Sequence, residues 1–286
     1  MTRMLDLLAT PTVVGVPATV LWNAPTAPRP IDAAAVADAP DLVAWAAGLD
    51  DDARLGLLDR ADTHAVLGEP VIVVAEADGW VEVRLPLQPS SKHPAGYPGF
   101  LPTAHLLPLE SPRTDPVVVR SGPLLGAILD RRAAGGYLGP DGVVHDLAAT
   151  AVTALRSPSP SPSPGAVDPA DALAVARTFT GMPYLWAGSS AAGVDCSGLV
   201  HVSYRALGIV VPRDADDQAA ALDPVAPEDA RPGDPVFFAN EHGIHHVALA
   251  TGGGATFHAP RTGQLVGAGR FDTVPATETV TAARVR

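Results

Sequence analysis

A run of alternating serine and proline, Ser157 to Gly165 (SPSPSPSPG), constrains this chain more than any other feature. Each proline fixes φ and removes a backbone donor, so the run favours extended, polyproline-like backbone and packs as neither helix nor sheet. It marks a linker at 157–165 between a long N-terminal part and a C-terminal unit of about 120 residues, an ordinary domain size. The chain around it can bury a core: of 286 residues 47% are hydrophobic and 17% charged. The net charge of −12 argues against nucleic acid and anionic membrane as partners. Cys196 is the only cysteine, so no internal disulfide forms and the fold must hold by packing. No apolar run reaches the ~18 residues needed to span a bilayer. Val13 to Trp22 is apolar but interrupted by Pro17, with no basic cluster before it or small-residue cleavage site after it, and is expected to be a first strand. On these grounds the chain is expected to be cytoplasmic.

The N-terminal part patterns as β. Val71–Val74 and the alternating Trp80–Leu85 flank Asp78-Gly79, a hairpin turn signal, and Gly96–Pro102 adds another turn and strand. Residues 32–60 interrupt this pattern, with Leu42, Trp45, Ala46 and Leu49 on one helical face. The expected architecture is a small β-barrel over 1–110 with that helical insertion, and a second small barrel over 111–156. Residues 166–286 change style. Asp168-Pro169 is a helix start, with the helix running over 170–180 to Gly181, and a second helix is predicted from Cys196 to Leu207, ending at Gly208. Short strands are expected at 236–238, 247–250 and 256–258. Helices followed by antiparallel strands make an α+β unit.

Cys196 stands in Asp195-Cys196-Ser197-Gly198 at the start of the second helix. A thiol there faces free backbone N–H groups and the positive end of the helix dipole, which favour thiolate and can hold an oxyanion. The base would come from the late histidines. Period two along His246–Ala250 groups His246 with Ala248 and Ala250, and His245 with Val247 and Leu249. The small-residue face is expected to receive the helix carrying Cys196, making His246 the base and turning His245 elsewhere. His258, after the Gly252–Gly254 turn, could orient the far nitrogen of His246. Zinc on Cys196 and three histidines suits the ligand types but matches no compact spacing, so neither metal nor cofactor is expected.

Several motifs then occur in order: Gly181–Gly188 (GMPYLWAG), Asp195–Val200 (DCSGLV), Pro212-Arg213-Asp214 with Gln218, Arg231–Asp234 (RPGD), His246–Ala248 and His258–Pro260. The set resembles the NlpC family of papain-like cysteine peptidases, which cleave peptides of bacterial cell walls, over about residues 168–275. Leu67–Val71, Asp78–Val81 and Gly96–Gly99 resemble the bacterial SH3-like domains joined to this peptidase in γ-D-glutamyl-L-diamino acid endopeptidases. The resemblance implies a papain-like domain preceded by two SH3-like barrels. It further implies release of L-Ala-D-Glu from free murein peptides during recycling, with that peptide as partner. Cys196 would be nucleophile, His246 base and His258 orienter. Tyr184 would assist the oxyanion, with Trp186, Asp195 and Ser197 lining the groove. A carboxylate of the front barrel would pair with the substrate's free α-ammonium, and Glu69, hydrogen-bonded by Tyr97, is the candidate. Against the family pattern, Ala187 replaces a usual Gly, Ala215 a frequent Ser, Pro235 an apolar strand residue and Ala250 a common Tyr. Rival functions are a wall-binding module with an idle catalytic unit, and an amidase or acyltransferase on the same core.

Overall fold

A computed structural model describes residue 7 and residues 10–109, 111–155, 168–275 and 277–285. The serine-proline run lies outside the described residues. The first body is a seven-stranded sheet of β1 (Thr12–Val14), β2 (Ala18–Trp22), β3 (Ala61–Val66), β4 (Pro70–Ala77), β5 (Trp80–Leu85), β6 (Tyr97–Pro102) and β7 (Leu106–Pro108), in the order β3-β2-β6-β5-β4-β1-β7. The single strand expected over 13–22 is two strands, β1 and β2, broken across Gly15 to Pro17, where proline has no N–H to give to a ladder. The hairpin at Asp78-Gly79 forms because both residues take positive φ, 52° and 79°, the turn whose twist matches paired strands.

Between β2 and β3 lie a 3-10 turn (Pro30–Ala35) and the short helices α1 (Leu42–Gly48) and α2 (Asp51–Leu55). Asp41 and Asp50 cap them, each accepting from a backbone N–H three residues on. Their apolar face, with Leu42, Trp45, Ala46 and Leu49, packs on Trp22 and on Leu185, Ala187 and Ala192 of the C-terminal unit. The insertion therefore buttresses the third body.

The second body is a five-stranded sheet of β8 (Pro116–Val119), β9 (Ile128–Arg131), β10 (Tyr137–Leu138), β11 (Val144–His145) and β12 (Val152–Ala154). The third contains α3 (Pro169–Ala176), the small β13 (Ser189–Ser190) and β14 (Gly193–Val194) pair, α4 (Cys196–Arg205), α5 (Ala215–Ala221) and β15 (Asp223–Val225). It continues with β16 (Pro235–Asn240), β17 (Gly243–Gly252), β18 (Ala255–His258), β19 (Gly267–Arg270) and β20 (Thr279–Arg284). Its six-stranded sheet runs β15-β20-β16-β17-β18-β19, all antiparallel. This is the α+β order, and Pro235 is tolerated because it opens its strand.

One expectation about facing fails. Leu199 and Val200 of α4 share a core with Phe237, Val247, Leu249 and Phe257. Ala248 and Ala250 pack on the other side, with Val236, Phe238 and Ala282. The helix thus lies on the Val247–Leu249 face, because large apolar side chains, and not alanines, fill a helix–sheet seam to interior density. Among the described residues no helix is long and apolar enough to cross a membrane.

Candidate active site

The cleft is built around the start of α4. Asp195 is its cap, accepting from the Gly198 N–H at 2.7 Å. Gly198 is required: a Cβ there would stand 1.9 Å from the Gly188 carbonyl oxygen. Ala187 takes φ +63° in that same approach, a left-handed conformation that explains why glycine suits the position. Gln218 of α5 donates to the carbonyls of Ser197 and Pro212 at 3.0 and 2.9 Å, pinning the helix's first turn.

Arg213, buried, holds Asp195 through two hydrogen bonds, 2.6 and 3.1 Å, donates to Ser197 Oγ at 2.8 Å, and reaches Thr63 of β3 at 2.7 Å. Burial works against its charge, but Asp195 keeps it firmly protonated. Asp195 and Ser197 line the cleft as expected, yet both are already engaged. Arg213 is the residue sequence reasoning passed over. It stood inside the Pro212–Asp214 motif, but only the fold brings it to Asp195.

Cys196 lines a cleft of about 700 Å³ together with Tyr184, Trp186, His246 and His258. His246 Nε2 and His258 Nδ1 are 2.8 Å apart, on neighbouring strands with rings edge-on. With His246 Nε2–H donating in that bond, Nδ1 is the nitrogen able to take a proton. His246 sits on the Phe238 face, its ring 5.4 Å from the phenyl. It lines the cleft beside a β-bulge: Phe238 pairs with His246 but Ala239 with Ile244, leaving His245 as the extra residue. Bulges increase twist and re-aim side chains, and here Ile244, His245 and His246 all border the cleft. His245 stands 3.7 Å from Glu278 at the rim.

The electrostatics depart from the expected preformed thiolate. Burial, reinforced by the Asp195 charge, pushes the Cys196 thiol up to about 12, against backbone N–H bonds from Val247 and Ser197 and the pull of Arg213. Burial, then His258 and His245, bring His246 down to about 3. The resting site therefore holds a neutral thiol and a neutral imidazole, a nucleophile with a general base. Burial likewise keeps Tyr184 a phenol, and so a donor. Trp186 donates to the Ala61 carbonyl at 3.0 Å, tying the cleft floor to β3 of the first sheet.

The assignment of Glu69 is overturned. Its side chain is fully buried and absent from the cleft lining. It accepts from the Val66 N–H (3.1 Å), Gln88 Nε2 (3.0 Å) and Arg205 Nη1 (2.8 Å). A carboxylate in the tight turn after Gly68 satisfies three buried donors and cannot meet a ligand. Gln88 in turn accepts from Thr63 at 2.7 Å, so a polar chain runs from Arg205 at one end of α4 through Glu69, Gln88 and Thr63 to Arg213 and Asp195 at the other. Tyr97 does line the cleft, but its hydroxyl donates to Asp214 at 3.0 Å, not to Glu69. The acids of that end are Asp62 on β3, Asp214 at the start of α5, and Asp216. Burial pushes the Asp62 carboxyl above its ordinary range; Lys92 pulls it back and Asp214 adds to the push.

The matches to known proteins agree with this geometry. Residues 181–285 match the model of the NlpC/P60 family. The chain is 34% identical over 271 residues to a gamma-D-glutamyl-L-lysine dipeptidyl-peptidase of Bacillus subtilis, covering 86% of this chain and 88% of that one. A Bacillus cereus protein of the same name is 31% identical over 282 residues, with 88% and 84% covered. The crystal structure of an NlpC/P60 family protein from Bacillus cereus superposes with a TM-score of 0.82 at 29% identity, across 96% of this chain and 99% of that one. With a relative of this identity matched along most of both lengths, and with the family's own model met at the unit that carries the cysteine and both histidines, this chain belongs to the NlpC/P60 family.

Proposed function

We propose that the protein is a cysteine peptidase that hydrolyses the bond between the γ-carbonyl of D-Glu and the following diamino acid in murein peptides, releasing L-Ala-D-Glu from peptides with a free N-terminal L-Ala. The observation that carries this is one cleft holding Cys196 and the bonded His246–His258 pair beside an acidic end of Asp62 and Asp214. The names of the two long-range relatives support the same substrate class. We further read the two N-terminal sheets as SH3-like barrels, the first leaning over the cleft through Ala61, Asp62 and Tyr97.

The Cys196 thiol gives its proton to His246 Nδ1 as the sulfur attacks the γ-carbonyl. His258 holds the ring and the nitrogen opposite. Backbone N–H groups at the start of α4 and the Tyr184 hydroxyl stabilise the oxyanion. Collapse expels the diamino acid's amine, which takes the proton from His246. The same imidazole then removes a proton from water, whose oxygen attacks the thioester and frees L-Ala-D-Glu and the thiol. The role first given to Glu69 passes to Asp62 and Asp214. A desolvated carboxylate left without its cation rejects a blocked or internal amide, which suits released peptides and a recycling role.

Digestion of defined tri- and tetrapeptides with free or acetylated N-termini, read by mass spectrometry, tests this. Free-amine peptides should yield L-Ala-D-Glu, acetylated ones should resist, and Cys196→Ala should abolish turnover. Equal cleavage of acetylated peptides, or full activity without the thiol, would refute the reading.

A further inference from the structure

The acidic end of the cleft is not empty of cations. Lys92 is the only lysine among 19 lysines and arginines in the chain, and its ammonium lies inside the cleft. Nζ stands 3.3 Å from Asp214, 3.6 Å from Asp62 and 4.3 Å from the centre of the Tyr97 ring, and it contacts the Tyr97 hydroxyl. A point between two carboxylates and over an aromatic face is where any ammonium gains most. It is therefore the point that the substrate's α-ammonium would also occupy.

We infer that Lys92 is a tethered counter-ion, occupying the α-ammonium subsite of the free enzyme and giving it up to the substrate's N-terminus. This rests on the proposed free-amine specificity. The backbone around Lys92 is anchored: Ser91 N–H donates to Asp217 at 2.9 Å, Lys92 N–H to Ser90 Oγ at 3.2 Å, and Ser90 bridges His93. The side chain itself is 45% exposed and sits on a flexible four-carbon stem, so it can swing to water without moving the loop. Charge favours the exchange. Arg213 is consumed by Asp195, so Asp62, Asp214 and Lys92 sum to −1, and a second cation is still attracted. An arginine here would grip Asp62 or Asp214 with a two-pronged guanidinium and yield poorly, whereas an ammonium is a like-for-like competitor. Lys92 thus covers two half-buried acids between turnovers and lowers apparent affinity for the amine that replaces it.

Two readouts on the full chain test this. In steady-state kinetics with a free-amine tripeptide, Lys92→Met should lower KM about three- to tenfold, with kcat moving less, because one partly exposed competitor is removed. Lys92→Arg should raise it. In the Cys196→Ala chain grown with carbon-13 at lysine Cε, the single resonance should carry the Tyr97 ring-current shift. Saturating L-Ala-γ-D-Glu should move it to the position of a solvated lysine, and the N-acetylated dipeptide should leave it in place. An unchanged or raised KM in Lys92→Met, or a resonance unmoved by the bound free-amine dipeptide, would overturn the displacement. If the wild type ignores the N-terminal amine altogether, the specificity reading fails first and the inference falls with it.

Discussion

Glu69 offers the sharpest test of the corrected site. Its carboxylate is 0% exposed and its partner Arg205 is 4% exposed, joined at 2.8 Å across the seam between the first sheet and α4. Glu69→Gln removes the negative charge while keeping the shape, and leaves the Arg205 guanidinium buried without a counter-charge. Arg205 Nε and Nη2 already lack partners, so no other acceptor takes up the loss. Breaking one side of a buried pair costs about 3–5 kcal/mol, which for a chain of this size lowers the melting midpoint by about 5–15 °C. The double variant Glu69→Gln with Arg205→Met should recover most of it, since no uncompensated charge remains. Calorimetry or circular dichroism reads the midpoints. Well below them, Glu69→Gln should keep KM for a free-amine tripeptide within about twofold, because the residue does not line the cleft. A variant that melts within about 2 °C of wild type yet raises KM tenfold would refute this reasoning and return Glu69 to the substrate.

With a thiol pushed up to about 12, alkylation of the free enzyme by iodoacetamide should accelerate steadily from pH 6 to 9; a rate flat over that range would mean a preformed thiolate. On the proposed mechanism, in which His258 holds His246, His258→Ala should lower kcat about ten- to a hundredfold with a smaller change in KM, and His258→Asn should restore part of it. His64 and His201 are buried and held near 3 in the fold, below their ordinary 6.5. The unfolded chain therefore binds more protons between those values. Their stability contribution is complete above about pH 6.5 and falls by about 1.4 kcal/mol each per unit below it. Urea midpoints at pH 7 and 5.5 should differ accordingly.

Much of this was legible in the chain itself. The Asp78-Gly79 hairpin, the caps at Asp168 and Asp195, and the stops at Gly181 and Gly208 are local events, written in residues a few positions apart. The place of Cys196 at a helix start was legible too, but His246 was chosen by a facing argument that the fold overturns, and only the fold brings it to the cleft with His258. Reading the facing of β17 from side-chain size failed, since a helix chooses the sheet face that fills its seam, and that depends on Leu199, Val200 and Phe257 as much as on Val247. The bulge that sets His245 apart from His246 leaves no mark in the pattern.

The sequence by itself determined the local elements and set Cys196 at a helix start, because these follow from near neighbours along the chain. Only the tertiary structure decided which acids face the cleft. Glu69, Asp62 and Asp214 are alike as residues, and what separates them is whether the groups that converge on each, from as far as Arg205 to Glu69 and Lys92 to Asp214, bury it among donors or leave it open. Tertiary burial also set the resting thiol, for with the adjacent Asp195 charge it outweighed the helix start.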